Sequence, residues 1–113
     1  MHELSLCESV MQILEDNARL QGFNRVKALW LEIGELSCVE ADALRFSFEV
    51  VSRGTLAEGA TLEIISVPGL AWCLPCGKHV AVKQRFDACP VCGNFPLQVS
   101  GGDEMKIKEL EVD

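Results

Sequence analysis

Cys73-Leu74-Pro75-Cys76-Gly77 and Cys89-Pro90-Val91-Cys92-Gly93 are the two stretches that organise the rest of this 113-residue chain. Each is a C-x-x-C pair followed at once by glycine, which permits the left-handed backbone that a tight thiolate loop needs. Two such loops carry four sulfurs to the corners of a tetrahedron, the geometry Zn²⁺ prefers. The twelve residues between Cys76 and Cys89 are fewer than the usual fifteen to twenty or so, yet enough for a hairpin that returns the second pair to the first. Four thiolates leave no position open, so the reading is structural zinc. Iron in the same cage would make a rubredoxin-like, coloured electron carrier.

Outward from the cysteines, the flanks are Pro68-Gly69 and Gly101-Gly102, both chain-breaking pairs. Between them the periodicity is lost and large apolar residues are few, so the insert should lack a core of its own. Before the insert the pattern is regular. Leu6, Val10, Leu14 and Ala18, with Ile13 beside them, predict an amphipathic helix over about 4–20, with Ser5 and Glu8 at capping-box spacing and Gly22 as its stop. Residues 25–33 predict a strand covered on both sides: Val26, Ala28 and Trp30 point one way, Leu29, Leu31 and Ile33 the other. Residues 39–51 return to helical spacing through Val39, Ala43, Phe46 and Val50, with Leu44, Phe48 and Val51 beside them, and 61–67 form a second strand. A third, 105–112, changes parity near Lys108-Glu109, as a β-bulge would make it. The expected fold is α+β: two helices on a small three-stranded mixed sheet, with an inserted zinc-ribbon-like domain. Residues 1–68 and 100–113 form the α/β part and 69–99 the zinc-binding insert.

Composition narrows the function. Ten Lys and Arg face seventeen Asp and Glu, a formal net charge of -7. The stretch 71–98 holds three cations, Lys78, Lys83 and Arg85, against Asp87, which leaves seven basic and sixteen acidic residues elsewhere. Zinc binding deprotonates four thiols and adds two positive charges, a change of about −2 that removes the basic look of the insert. A zinc ribbon that reads nucleic acid needs the opposite sign. The start, Met1-His2-Glu3-Leu4-Ser5, lacks a signal-peptide pattern, and no run reaches the ~18 apolar residues of a membrane span. A cytoplasmic location with reduced thiols follows. Cys7 and Cys38 are then small buried side chains or soft ligands, and His79 is a surface residue or a replacement for one thiolate at the zinc.

A histidine at position 2 is ordinarily a solvated, frayed residue. Yet an α-amine, the following amide nitrogen and an imidazole can close adjoining chelate rings, and such nitrogen donors suit Ni²⁺ or Cu²⁺. Met1-His2-Glu3-Leu4-Ser5, Trp30-Leu31-Glu32-Ile33-Gly34, Ser37-Cys38-Val39-Glu40 and the paired C-x-x-C insert together resemble the HypA/HybF family of nickel metallochaperones for [NiFe] hydrogenase. The likeness covers essentially the whole chain, and Cys38-Val39-Glu40 is most similar to the enterobacterial, HybF-like members.

The resemblance implies transient Ni(II) at the amino terminus beside structural Zn(II) on Cys73, Cys76, Cys89 and Cys92. It implies His2 as nickel ligand, with main-chain nitrogens of His2 and Glu3 and the Met1 amine. Glu3 would contribute its main chain, and its side chain would act in partner recognition or in shaping the site. Glu40 stands where some members have Asp, one methylene longer, as a further ligand or neighbour. The implied partners are a HypB-type GTPase and the hydrogenase large-subunit precursor, with neither nucleic acid nor membrane; a homodimer remains open. No P-loop and no activated nucleophile stand out, so the expected role is a carrier rather than an enzyme.

Overall fold

A computed structural model describes residues 2–95 and 97–113. The elements run α1 (His2–Gln21), β1 (Val26–Gly34), a single 3-10 turn (Glu35–Ser37), α2 (Ala41–Ser52), β2 (Thr61–Val67), β3 (Gly69–Cys73), β4 (Lys78–Val82), β5 (Gln98–Gly101) and β6 (Met105–Val112). They form two three-stranded sheets, ordered β2-β1-β6 and β4-β3-β5. The two helices and the first, mixed sheet are those the sequence predicts. The chain divides into two compact units, Met1–Leu31 with Val39–Ile64 and Ile107–Asp113, and Glu32–Cys38 with Ile65–Lys106.

In the first unit, α1 buries Cys7, Val10, Met11 and Leu14. Their spacing of three, one and three residues marks one helical face. Ile13, expected beside that stripe, is exposed. The helix also starts earlier than predicted. His2 and Glu3 form its first turn, so Ser5 lies inside the helix and the Ser5/Glu8 pair caps nothing. The Glu3 carboxylate takes over the N-terminal role, because an anion there meets the exposed amides and the positive end of the helix dipole.

Helix α2 packs on α1, with Cys7 Sγ 3.5 Å from Leu44 O, and buries Leu44, Phe48 and Ser52. The buried face is centred on the flanking residues Leu44 and Phe48 rather than on the predicted stripe: Phe46 is 69% exposed and Val50 is exposed too. Both parities of β1 are covered, with Val26, Ala28, Leu29 and Leu31 all buried. Leu14, Leu29, Leu31 and Leu44 are fully buried. Each contributes about 1.5–3 kcal/mol relative to exposure.

The second unit corrects the expectation of a patternless insert. Three antiparallel strands run through it. Gly69 pairs with Val82 and Cys73 with Lys78 between β3 and β4, and Trp72 pairs with Gln98 between β3 and β5. The β3–β5 register shifts between Leu70 and Ala71. One sheet face turns Ala71, Cys73, Val80 and Val82 inward, where they join Cys89 and Leu36 in a small core. The insert therefore has a core after all, completed by a leucine from outside 69–99.

Glycines make that closure sterically possible. A Cβ on Gly102 would lie 2.3 Å from the Pro68 carbonyl oxygen, and one on Gly69 would lie 2.7 Å from Leu36 Cγ. The 3-10 turn is tied in by Leu36 N–H donating to Gly102 O at 2.7 Å and Gly34 N–H to Glu104 O at 2.9 Å. β6 is one continuous strand in which Met105, Ile107 and Leu110 are half-buried. Lys108 and Glu109 between them are both exposed, so the parity change is visible.

Candidate metal centres

The four cysteines come from β3, the β3–β4 turn and the segment before β5. Cys73 ends β3, and Gly77, at φ 63°, donates its N–H to Cys73 O at 2.8 Å. The second loop repeats this: Gly93, at φ 75°, donates to Cys89 O at 2.8 Å. In that loop the N–H groups of Val91 and Cys92 point at Cys89 Sγ, at 3.4 and 3.5 Å. Asn94 Nδ2 reaches Cys92 Sγ at 3.4 Å.

All four sulfurs lie within 4.8 Å of one another. Cys73 and Cys92 are 3.6 Å apart, Cys76 and Cys89 3.9 Å. A zinc tetrahedron with Zn–S of about 2.3 Å has edges of about 3.8 Å. The spacing fits a metal and is far too long for a disulfide.

The thiols are electrostatically unequal. The N–H groups of Cys92 and Val91 lower Cys89 to about 6, against opposing burial. The Cys92 and Cys73 thiols leaning on Cys76 raise it to about 12. Cys73 is raised despite the N–H of Cys76, by burial and by its bonds to Cys92 and Cys89. Such a set ionises stepwise by itself. A divalent cation at its centre makes four thiolates stable together.

The other sequence-predicted residues meet at the start of both helices. Glu40, the N-cap of α2, is extended, and its carboxylate accepts the Asp42 N–H at 3.2 Å. Its own N–H donates to Glu3 Oε2, also at 3.2 Å and 37 residues away in sequence. The same Glu3 oxygen lies 3.6 Å from His2 Nδ1. His2, Glu3 and Glu40 thus meet at one carboxylate oxygen, hydrogen-bonded to the Glu40 N–H and within ion-pair distance of the His2 ring.

Glu3 is held below the usual carboxylate range, chiefly by the Glu40 N–H. The amides of the first helical turn have no intrahelical acceptor and remain available as donors. The Met1 amine lies outside the described residues. Among the described residues, the four cysteines are the group whose side chains converge as a metal cage; His2, Glu3 and Glu40 do not form such a cage.

The other candidates separate clearly. Cys7 is buried, within 3.5 Å of Leu44 O, and burial pushes it up to about 11. Cys38, expected to be buried, is exposed with a left-handed backbone at φ 62°. The His79 ring contacts Trp72 edge-on and lies 2.9 Å from Ser100 Oγ, a bond that occupies it on the sheet surface. Leu36, which completes the core around Cys73 and Cys89, was missed. No motif marks it, since its partners lie more than thirty residues away.

A family model described as hydrogenase/urease nickel incorporation, metallochaperone HypA matches residues 1–112. The chain belongs to the HypA family. Relatives over the full length of both chains include the hydrogenase maturation factors HypA of Alkalilimnicola ehrlichii, at 62% identity, and of Azotobacter chroococcum, at 59%. The solution structure of the nickel metallochaperone HypA from Helicobacter pylori covers 97% of this chain and 96% of its own. It superposes with a TM-score of 0.73 at 21% identity, which shows the same fold.

HypA membership makes this chain one of the nickel metallochaperones of hydrogenase maturation, with a four-cysteine cluster that fits structural zinc. The nucleic-acid-binding and electron-carrier alternatives are not favoured. Among the described residues, no helix of this HypA chain is long and apolar enough to cross a membrane.

Proposed function

We propose that this HypA-family chain takes up one Ni(II) at its amino terminus and passes it on, without catalysing a reaction. The His2 imidazole, main-chain nitrogens of His2 and Glu3, and the Glu40 carboxylate form the donor set. Nitrogen and carboxylate donors of this kind suit nickel, whereas the all-thiolate site suits zinc. Residues 1–68 and 100–113 carry the nickel function. The 69–99 insert holds Zn(II) on Cys73, Cys76, Cys89 and Cys92 and keeps its fold through that metal. The recipients are the [NiFe] hydrogenase large-subunit precursor and a HypB-type GTPase, met in the cytoplasm. Nucleotide hydrolysis belongs to the GTPase, because this chain has no phosphate-binding loop.

The observation that carries this reading is the meeting of His2, Glu3 and Glu40 through one Glu3 oxygen, across 37 residues of sequence. The test is calorimetric titration of nickel into zinc-loaded protein with a free amino terminus, beside His2→Ala. One nickel per chain with a large loss of affinity in the variant is expected. Wild-type affinity in the variant refutes the assignment. Affinity should also fall in acid, because the nitrogen donors must give up protons to bind.

A further inference from the structure

Phe86, in the second unit, is 93% exposed and sits on a left-handed backbone at φ 71°. A bulky residue adopts that conformation only at a cost. The turn around it enforces the strain, because the Asp87 carboxylate accepts the N–H groups of Lys83 and Gln84 at 3.3 and 3.1 Å. The chain thus holds an aromatic ring in water. A ring so exposed gains almost nothing from its own fold to offset the strain.

The same unit carries an open groove of about 600 Å³, lined by Trp72, Leu74, Pro75, Phe95, Leu97 and Gln98. None of these six side chains is charged. Leu74 is 80% exposed and Phe95 67%. Ring and groove lie apart. Trp72 and Gln98 pair close to the Cys73 end of β3, whereas the Phe86 turn follows Val82, which pairs with Gly69 at the other end. Phe86 does not line the groove of its own chain.

Charge and area choose the occupant. The second unit holds four basic and five acidic residues, the first unit six and twelve. Zinc on four thiolates adds about −2 to the second unit, which leaves it still the less repulsive of the two toward another copy. A ring such as Phe86 buries about 150–250 Å². Two reciprocal contacts, each counted with the groove surface it covers, remove about 1,000 Å² from water, the lower edge of a specific interface. One contact alone falls well short.

We infer that the occupant is a second copy of this chain: two copies related by a two-fold axis exchange Phe86, each seating its ring in the other's groove against Trp72, Leu74 and Phe95. The same surface serves both copies, so the contact closes at a dimer. At this area the dimer is weak and exchangeable. It goes beyond the nickel assignment and does not depend on it.

Sedimentation velocity on zinc-loaded, nickel-free protein, from low micromolar to submillimolar concentration, tests it. Wild type should move from monomer toward dimer. Phe86→Gly removes the ring and suits a positive φ. It should keep its zinc and its thermal midpoint while self-association weakens by roughly tenfold or more. Leu74→Asp puts a charge into the groove at an exposed position and should weaken association as much. Each variant alone lacks both contacts. An equimolar mixture of the two regains one, the ring of the Leu74→Asp chain in the groove of the Phe86→Gly chain. Association should therefore reappear in the mixture, weaker than in wild type.

Wild type that stays monomeric throughout overturns the proposal and leaves the groove to a different protein. A dimer indifferent to Phe86→Gly overturns the role of the ring. A mixture that associates no better than its components overturns the exchange.

Discussion

Leu36→Ala tests how the zinc-bearing unit is held together. Leu36 is 2% exposed and packs with Ala71, Cys73, Val80, Val82 and Cys89. It also lies against Gly69, where a single methyl group would collide with it. Leucine-to-alanine changes in cores cost about 2–5 kcal/mol, more where the surroundings cannot collapse. Here two of the six buried members of the cluster are zinc-site cysteines, held by the metal, and the strands are tied by backbone bonds. A cost of about 3 kcal/mol is therefore expected. Folding of such a unit and zinc binding are one process, so the loss should appear as zinc affinity weakened by about a hundredfold, at 1.4 kcal/mol per tenfold. Chelator competition on purified zinc-loaded protein measures it directly. Ile13→Ala, at an exposed position of α1, serves as the control and should leave zinc affinity unchanged. Equal zinc affinity in Leu36→Ala and wild type would show that the metal alone holds the unit and that the leucine is incidental.

Three further outcomes follow from local geometry. Gly102→Ala places a Cβ 2.3 Å from a backbone oxygen at φ 73° and should lower the thermal midpoint far more than Gly22→Ala. Gly22, at φ 79° with open space around it, should cost only about 1 kcal/mol; equal shifts would contradict the closure. Alkylation of zinc-loaded protein at neutral pH should modify one thiol quickly, the exposed Cys38, and leave Cys7, which is buried and raised to about 11. Mass spectrometry showing two fast sites would contradict this. Finally, Glu3 is held below its ordinary value of 4.5 by the Glu40 N–H. The stabilisation this bond gives is present above the unfolded-chain value and is lost as pH falls through the lower folded value. The Glu40 amide resonance should therefore titrate in acid below 4.5, and a midpoint at or above it would contradict the bond.

Legibility from the sequence followed the range of the interactions. β2 matches the predicted span, and β1 agrees to within a residue, because alternation of apolar residues is a local signal. The four cysteines were legible for the same reason. The start of α1 was not: Ser5/Glu8 spacing competes with a bond from Glu3 to residue 40 that no local window contains. The α2 stripe was off-centre because spacing alone could not say whether the Leu44/Phe48 edge or the Phe46/Val50 edge is buried. In the insert, alternation was present in Val80 and Val82 but disguised on β3, where the inward residues are Ala71 and Cys73. The chelating chemistry of His2 was readable from its position, whereas the proposed places of Glu3 and Glu40 beside it were legible through family likeness alone. Their physical connection, one carboxylate bridging His2 and Glu40, became visible only in three dimensions.

In the proposed division of metals, nickel rides on nitrogen and oxygen donors at the amino terminus while zinc keeps the cysteines. X-ray absorption at both metal edges, on protein loaded with one zinc and one nickel, tests it most directly. Four sulfurs at about 2.3 Å around zinc are expected, with a nickel shell of nitrogen and oxygen whose imidazole scattering disappears in His2→Ala. Sulfur in the nickel shell, or a nickel spectrum indifferent to His2, would contradict it.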